Sequence, residues 1–260
     1  MDPVSVVRLE RRERVAVVTL TRPDRMNAVN RATLQELDRI LTALDGDPGV
    51  GAVVVTGAGT FCAGADITEL AELDGPDDFA RFLREFTDVL ARLEAHPTPS
   101  IAAIDGVAFG GGLELALACD LRVASDAARL GVPEVKLGLL PGAGGSQRLP
   151  RLLPQGVALH MLLTGAPLGA IDAHRLGLLN ALSGEEPALA AAERLARDLA
   201  AGPPLAHAAA KRLVHDGVAL PLRDAITLER EVVAGLYATG DAREGITAFR
   251  EKRTPTFLGR

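Results

Sequence analysis

"FGGGLELALACDL", Phe109 to Leu121, places three glycines directly before an apolar helix. Glycine has no Cβ, so a ligand or another stretch of backbone can approach Gly110, Gly111 and Gly112 closely. The N–H groups at the start of a helix are also unpaired and carry a partial positive charge. The stretch therefore predicts an anion site built from main-chain amides, or alternatively a tight turn between a strand and a helix.

A second stretch upstream has the same character. In "FCAGADI", Phe61 to Ile67, a strand is predicted to end in small residues that leave the main chain accessible. Two such segments could direct two N–H donors at one oxygen, which is the arrangement that stabilises an enolate or a tetrahedral oxyanion. The alternative is an ordinary loop in which Asp66 caps a helix.

Two glutamates accompany these stretches. Glu114 lies in the glycine-led helix, and Glu134 follows Pro133 in "GVPEVKLGLLPGAGGSQRLPR". Both have apolar neighbours, and burial raises the pKa of a carboxyl group, so one of the pair can hold a proton while the other stays ionised. Such a pair suits general acid and base chemistry. The alternative is structural: Glu114 caps its helix, and Glu134 pairs with Lys136 or Arg148.

The order of elements along the chain indicates a mixed α/β fold. Strands such as "RVAVVTL", "GAVVVTGAG", "PSIAAIDG", "LRVASD" and "EVKLGLL" are predicted to alternate with helices, one of them capped by Asn30. From Pro154 onward no period-2 segment remains. Four helical segments follow instead: "EEPALAAAERLARDLAAG", "PLAHAAAKRLVHDG", "PLRDAITLEREVVAGLYATG" and "DAREGITAFREKR". An α/β core with a helical appendage is the expected architecture.

Composition and spacing argue against several functions. The 260 residues are 48% hydrophobic with a net charge of -6, which disfavours binding along a nucleic-acid backbone. Cys62 and Cys119 lack a CxxC spacing, the histidines lack a metal-ligand spacing, and the nucleophile elbow and Walker patterns are missing. The sequence contains neither a secretory signal pattern nor a long uncharged apolar run. We therefore expect no nucleic-acid partner, no metal, no membrane association and a cytoplasmic location.

At these residues the chain resembles the enoyl-CoA hydratase/isomerase (crotonase) superfamily. The resemblance covers nearly the whole chain, because six blocks fall in the family's order: "TRPDRMNAVN", "FCAGADI", "IDGVAFGGGLELALACDLRVAS", "GVPEVKLGLLPGAGGSQRLPR", "TGAPLGAIDAHRLGLLN" and "AFREKRTPTF". It implies a crotonase-like β-β-α spiral core over residues 1–195, carrying the active site, and a C-terminal helical trimerisation region over residues 196–260. It also implies a homotrimer or a dimer of trimers.

The resemblance further implies an enoyl-CoA hydratase, which adds water syn across the 2,3 double bond of a trans-2-enoyl-CoA in fatty acid β-oxidation. The catalytic residues would be Glu114, which mainly activates the water, and Glu134, which mainly supplies the proton at C2, although the two roles could be shared. The amides of Ala65 and Gly111 would form the oxyanion hole. No cofactor is implied, since CoA is part of the substrate.

The same comparison implies a set of substrate-binding residues. Two lie near the nucleotide, four line the adenine and pantetheine path, one lies near the water, and two reach the CoA of a neighbouring subunit. In that order they are Arg25 and Met26; Ala63, Asp66, Ile67 and Thr68; Gly142; and Phe249 and Lys252. For Lys252 a surface ion pair is the alternative.

Two other functions stay open at this point. The same fold could catalyse isomerisation or another acyl-CoA reaction, and isomerases of the family commonly retain only one of the two glutamates. A non-catalytic acyl-CoA-binding subunit could keep the oxyanion motif, although the presence of both Glu114 and Glu134 argues against it. Residues 70–86 are expected to line the acyl pocket, and the sequence does not predict which acyl chain length that pocket accepts.

Overall fold

The computed structural model describes residues 5–260, and within them it contains two β-sheets and eleven α-helices. The strands are Val7–Arg12 (β1), Val15–Leu20 (β2), Ala52–Gly57 (β3), Ser100–Ile104 (β4), Val107–Phe109 (β5), Leu121–Ala124 (β6), Arg129–Gly131 (β7), Leu168–Gly169 (β8) and Ala181–Leu182 (β9). The helices are Arg31–Leu44 (α1), Ile67–Ala71 (α2), Gly75–Ala95 (α3), Gly111–Ala118 (α4), Gly145–Leu152 (α5), Gln155–Thr164 (α6), Ala170–Arg175 (α7), Ala188–Ala201 (α8), Pro204–Gly217 (α9), Leu222–Tyr237 (α10) and Gly240–Glu251 (α11). Pro23–Arg25 and Pro133–Leu137 form 3-10 helices.

The larger sheet has six strands in the order β1-β2-β3-β4-β6-β9. β1 and β2 are antiparallel, whereas β2, β3, β4, β6 and β9 run parallel to one another. Both faces of the sheet are covered, and β2 and β4 are buried at every position. This explains why these strands are continuous apolar runs instead of alternating polar and apolar residues.

The smaller sheet has three strands in the order β5-β7-β8. The chain passes from β4 in the larger sheet to β5 in the smaller one and then into α4, and it repeats this path from β6 to β7 and the 3-10 helix. Cys62 extends the smaller sheet through an isolated bridge to Ala108 of β5. The predicted β-β-α repeat is therefore confirmed.

Helices α1 and α3 cover one face of the larger sheet. Asn30 starts α1, because its side chain accepts a hydrogen bond from the Thr33 amide at 2.9 Å. The leucines that recur at helical spacing along α1 are all buried: Leu34, Leu37, Leu41 and Leu44. Phe82 and Phe86 of α3 are also buried in this core, with an edge-to-face contact between rings 6.0 Å apart.

Helix α8 covers the opposite face of the larger sheet. It contributes a stripe of buried alanines, Ala188, Ala192, Ala196 and Ala200, which pack with the side chains of β2, β3, β4 and β6. The approach is very close, because a Cβ at Gly51 would lie 2.7 Å from the Cα of Ala200. Small residues at every fourth position are what permit this spacing.

The C-terminal helices α8 to α11 occur in the predicted order. The predicted boundary between residues 195 and 196 falls inside α8, and the division of the chain into a core and a helical region stays a prediction. Helices α9 and α10 bury none of their residues in the described chain. Of the helices within residues 5–260, none has the length and apolar character needed to cross a membrane.

The prediction of a strand for "EVKLGLL" is wrong. Pro133–Leu137 form a 3-10 helix, which Gly138 ends with a φ of 74°. Pro133 suits the first turn of a helix because its φ is fixed and it has no N–H to donate. The strand in this part of the chain is β7, which lies just upstream. The two-residue strands β8 and β9 were also missed, because two residues carry no periodicity.

Candidate active site

Each of the three glycines at the start of α4 is required by a different neighbour or by its own backbone conformation. Gly110 has a φ of 51°, which L side chains rarely adopt, and a Cβ there would lie 2.8 Å from Oε1 of Glu134. A Cβ at Gly111 would lie 2.7 Å from the ring of Phe86. A Cβ at Gly112 would overlap the carbonyl oxygen of Cys62. The glycines therefore let a carboxyl group, an aromatic ring and a second main chain reach the start of the helix.

The amides of Ala65 and Gly111 lie side by side. A Cβ at Gly111 would be 3.4 Å from the nitrogen of Ala65, and a Cβ at Gly64 would be 3.4 Å from the nitrogen of Gly111. The chain around Ala65 is fixed by hydrogen bonds, since Val29 donates to the Gly64 carbonyl and Asp66 donates to the Val29 carbonyl. Among residues 5–260, neither the Ala65 N–H nor the Gly111 N–H has an acceptor. Two free, adjacent donors are the geometry expected of an oxyanion hole.

Glu114 is bound by the loop that precedes α5. The residue is 2% exposed, and its Oε1 accepts hydrogen bonds from the amides of Ala143 and Gly145, each at 2.7 Å. Burial raises the pKa of Glu114, while these two hydrogen bonds and the positive charge of Arg148 oppose that shift. The main chain therefore stabilises the ionised form of a buried carboxylate. The alternative in which Glu114 caps its own helix is wrong.

Glu134 is held in a different way. Its Oε2 is buried and has no hydrogen-bond partner within residues 5–260. Burial raises its pKa to about 7; its own backbone amide lowers it, and the nearby charge of Glu114 raises it further. Glu134 pairs with neither Lys136 nor Arg148 among the described residues. Arg148 binds Glu94 at 2.7 Å instead, and Lys136 forms no ion pair within residues 5–260. Glu134 is thus a half-buried carboxyl group that keeps its proton to a higher pH than a solvated glutamate does.

Asp66 fixes the junction between two of the predicted substrate-binding segments. It caps α2 by accepting from the Thr68 amide at 3.1 Å, as the sequence predicts, and its other oxygen binds Arg22 at 2.8 Å. Burial raises the pKa of Asp66, but the hydrogen bonds from Arg22 and Thr68 outweigh it, so the pKa is lowered. The residue is therefore ionised and structurally engaged.

A groove of about 470 Å³ lies at this junction, and its lining includes Arg25, Asp66 and Thr68. Ala63 joins the two segments, because its amide donates to the Met26 carbonyl at 3.0 Å. The side chains of Met26 and Ile67 are each 56% exposed. The structure thus brings together the residues predicted to lie near the nucleotide and those predicted to line the adenine and pantetheine path: Arg25, Met26, Ala63, Asp66, Ile67 and Thr68.

The remaining predicted residues lie in two separate places. Gly142 belongs to the loop that carries the amide donors to Glu114, and a Cβ there would lie 2.6 Å from Leu83 of α3. Phe249 is 87% exposed on α11, and Lys252 ends that helix with a φ of 55°. Within residues 5–260, neither of them lines the groove. Their contact with a neighbouring subunit stays a prediction.

Sequence analysis missed the groups that support Glu114. No prediction was made for the main chain of "PGAGGSQ", because the carboxylate that Ala143 and Gly145 bind lies about thirty residues upstream. The ion pair between Arg148 and Glu94 joins residues 54 positions apart, and no local pattern predicts it. In the described part of the chain, no three His, Cys, Asp or Glu side chains are grouped so that they could hold a metal ion.

The family model for enoyl-CoA hydratase/isomerase matches residues 10–260. The chain belongs to this family. A short-chain-enoyl-CoA hydratase of Clostridium acetobutylicum is 39% identical to it over 247 residues, which is 94% of each chain. A crotonyl-CoA hydratase of Syntrophomonas wolfei is 38% identical over 258 residues, 97% of each chain. The crystal structure of an enoyl-CoA hydratase from Bacillus anthracis has a TM-score of 0.94 at 35% identity, covering 98% of this chain and 100% of that one.

These comparisons confirm the resemblance seen in the six sequence blocks. They also confirm the crotonase-like fold, because the similarity extends over nearly the full length of both chains. Family membership concerns the fold and the general chemistry. The roles of individual side chains depend on the geometry of the site.

Proposed function

We propose that this protein is an enoyl-CoA hydratase, a hydro-lyase that converts a trans-2-enoyl-CoA and water into a 3-hydroxyacyl-CoA. The observation that carries the proposal is a pair of glutamates beside two N–H donors that have no acceptor within residues 5–260. Glu114 is buried and bound by main-chain amides, whereas Glu134 is half-buried and its Oε2 has no partner among the described residues. Relatives named for enoyl-CoA and crotonyl-CoA hydration, at 39% and 38% identity, support the same assignment.

The thioester oxygen of the substrate would bind between the amides of Ala65 and Gly111. Two preorganised donors stabilise the negative charge that develops on this oxygen, and removal of one such donor typically costs roughly 3 to 4 kcal/mol of transition-state stabilisation. The first turn of α4 adds its partial positive charge at the same point. Polarisation of the carbonyl makes C3 of the enoyl group electrophilic.

Glu114 is the proposed base. Both of its hydrogen bonds fall on Oε1, and within residues 5–260 its Oε2 accepts none, so Oε2 can receive a proton from water. The amides of Ala143 and Gly145 favour the ionised carboxylate that this step requires. As Glu114 takes the proton, the water oxygen forms its bond to C3, and the π electrons pass to the thioester oxygen as an enolate.

Glu134 is the proposed acid. With a pKa of about 7, a substantial fraction of this carboxyl group is protonated at neutral pH. The proton passes to C2 as the enolate collapses, which completes the syn addition. Glu114 ends the cycle protonated and Glu134 ends it ionised, so a proton moves from one to the other, directly or through solvent, before the next turnover.

Recognition of the CoA part is proposed at the groove beside Asp66. Arg25 would pair with a phosphate, Met26 would lie near the nucleotide, and the segment from Ala63 to Thr68 would follow the adenine and pantetheine. Gly142 would face the reacting water from the loop that binds Glu114. The groove lined by Arg25, Asp66 and Thr68 supports this assignment.

We also propose that the protein is a homotrimer or a dimer of trimers and that it is located in the cytoplasm. It would act in fatty acid β-oxidation, and it would need no cofactor, since CoA is part of the substrate. Phe249 and Lys252 would then reach the CoA of a neighbouring subunit. Exposed apolar side chains on α9 and α10 support a protein partner on these helices; they include Val214, Leu222, Ile226 and Val233. Sedimentation of the purified protein measures the oligomeric state directly.

Hydration of crotonyl-CoA tests the function. The wild-type protein should form 3-hydroxybutyryl-CoA, identified by the mass gain of one water. Glu114→Gln and Glu134→Gln should each lower kcat by at least about 10²-fold while circular dichroism shows an intact fold. Retained hydratase activity in both variants would contradict the proposal.

The same assay separates the alternatives. In heavy water, a 3-enoyl-CoA whose double bond moves without gain of oxygen would identify an isomerase. Tight CoA binding without turnover of any enoyl thioester of increasing chain length would identify a binding subunit. That series of thioesters also measures the acyl chain length that the protein prefers.

A further inference from the structure

The loop that binds Glu114 is itself anchored from behind. The N–H of Ala143 donates to Glu114, and the carbonyl oxygen of the same residue accepts from Nη1 of Arg148 at 2.9 Å. Arg148 lies in the first turn of α5 and folds back over Gly144, where a Cβ would overlap its guanidinium group. Gly144 also has a φ of 105°, which favours glycine. A single residue, Ala143, therefore connects Arg148 to Glu114.

The orientation of Arg148 is fixed by Glu94 of α3. Nε of Arg148 donates to one carboxylate oxygen at 3.1 Å, and Nη2 donates to the other at 2.7 Å. Two parallel hydrogen bonds set the plane of the guanidinium group. The two side chains are 17% and 31% exposed. A partly solvated ion pair adds little to folding stability, so its main effect is geometric.

We propose that Arg148, oriented by Glu94, is a positioning residue for Glu114. It holds the turn at Ala143 so that the amides of Ala143 and Gly145 both meet Oε1, which leaves Oε2 directed at the reacting water. The inference rests on the proposed function, because it takes Glu114 as the base. Arg148 acts only through the loop and does not touch the substrate.

The charges around Glu114 make this arrangement testable by pH. Arg148 faces Glu114 from α5, Glu134 faces it from the 3-10 helix, and Glu94 lies behind Arg148 on α3. The positive charge of Arg148 lowers the pKa of Glu114. Loss of that charge should therefore move the acidic limb of the pH profile to higher pH. Loss of the Glu94 charge should move the limb the other way, because it leaves the Arg148 charge unopposed.

The experiment compares four variants in crotonyl-CoA hydration. Arg148→Met should lower kcat by about 10- to 100-fold with little change in KM, because a displaced base slows the chemical step. Arg148→Lys should keep the acidic limb in place and recover part of kcat. Glu94→Gln should lower kcat less and shift the limb to lower pH. Arg151→Met is the matched control, because Arg151 is exposed on the same helix and, within residues 5–260, its side chain donates only to the Gln147 carbonyl.

Amide hydrogen exchange of residues 138–147 gives a second readout that does not depend on activity. Exchange in this loop should rise in Arg148→Met and stay unchanged in Arg151→Met. If the wild type hydrates no enoyl-CoA, the proposed function fails, whereas faster exchange in Arg148→Met still supports the anchor. Unchanged loop exchange together with wild-type kcat in Arg148→Met overturns the inference. If Arg148→Met does not fold, the pH profiles of Arg148→Gln and Glu94→Gln provide the test. Shifts of their acidic limbs in opposite directions support the inference, and shifts in the same direction overturn it.

Discussion

The surroundings of the two glutamates differ in the number of main-chain donors that each carboxyl group receives. Ala143, in the loop before α5, and Gly145, the first residue of α5, direct two amides at Glu114. The 3-10 helix that carries Glu134 leaves one of its oxygens buried without a partner among residues 5–260. Burial raises the pKa of both carboxyl groups, so we attribute their proposed roles as base and acid to this difference in donors.

The largest effect should appear when the proton transfer at C2 is isolated from water addition. Exchange of the C2 hydrogens of butyryl-CoA in heavy water needs the oxyanion hole and Glu134 but no attacking water. Glu134→Gln should therefore lower the exchange rate by about 10²- to 10⁴-fold, whereas Glu114→Gln should retain most of it. Mass spectrometry of the recovered thioester measures the exchange. An equal loss in both variants would show that the two roles are shared.

A smaller effect is expected when a glycine that contacts one of the two glutamates is replaced by alanine. In Gly110→Ala, a strained φ and contact with Glu134 should displace that carboxyl group and lower C2 exchange by about 10- to 100-fold. Gly145→Ala places its Cβ 3.1 Å from Oε1 of Glu114, so it should slow hydration and spare C2 exchange. Gly156→Ala, where the Cβ meets nothing within 4 Å, is the control. Equal effects of the two active-site variants on both reactions would contradict the separation of roles.

The smallest effect concerns stability. Because the pKa of Glu134 is raised from 4.5 to about 7, the folded protein holds a proton in this range that the unfolded chain has lost. The free energy of unfolding should therefore fall as pH rises from about 4.5 to about 7, on the order of 1 kcal/mol after allowance for the partial solvent access of the group.

Glu134→Gln removes the titrating group, so the free energy of unfolding of the variant should not fall in this pH range. Relative to the wild type, the variant should gain no stability at pH 4 and the full difference above pH 7. Urea unfolding across this pH range measures the difference. An advantage that does not change with pH would mean that Glu134 is not the group whose proton affinity changes on folding.

Local sequence signals predicted much of this fold. The start of α1 at Asn30 and its buried leucine face could be predicted, because a helix cap and a helical repeat are both patterns that span only a few residues. The glycines before α4 indicated close contacts, but not that each accommodates a different neighbour. The strands of the smaller sheet have two or three residues each, and such strands are too short to show the alternating pattern by which strands are predicted. Glu134 was assigned to a strand because its apolar neighbours outweighed the signal of Pro133.

The residues of the candidate site could be predicted from the sequence, but the different surroundings of its two glutamates could not. Glu114 and Glu134 were found from their apolar surroundings. Their different states depend on Ala143, Gly145 and Arg148, and the sequence places these far from one of their partners. Contacts between segments so far apart in the sequence form only in the folded protein, and the proposed roles of the two carboxyl groups depend on them.

The donors of the proposed oxyanion hole are main-chain amides, and the two segments that carry them approach closely where Gly112 lies against the Cys62 carbonyl. An exchange of side chains, proline apart, deletes neither donor, so most point mutations leave this half of the chemistry in place. The acid and base, by contrast, can each be lost through a single codon. A chain built in this way can acquire new reactions on CoA thioesters by replacing one carboxyl group at a time, while the means of stabilising an enolate is inherited unaltered.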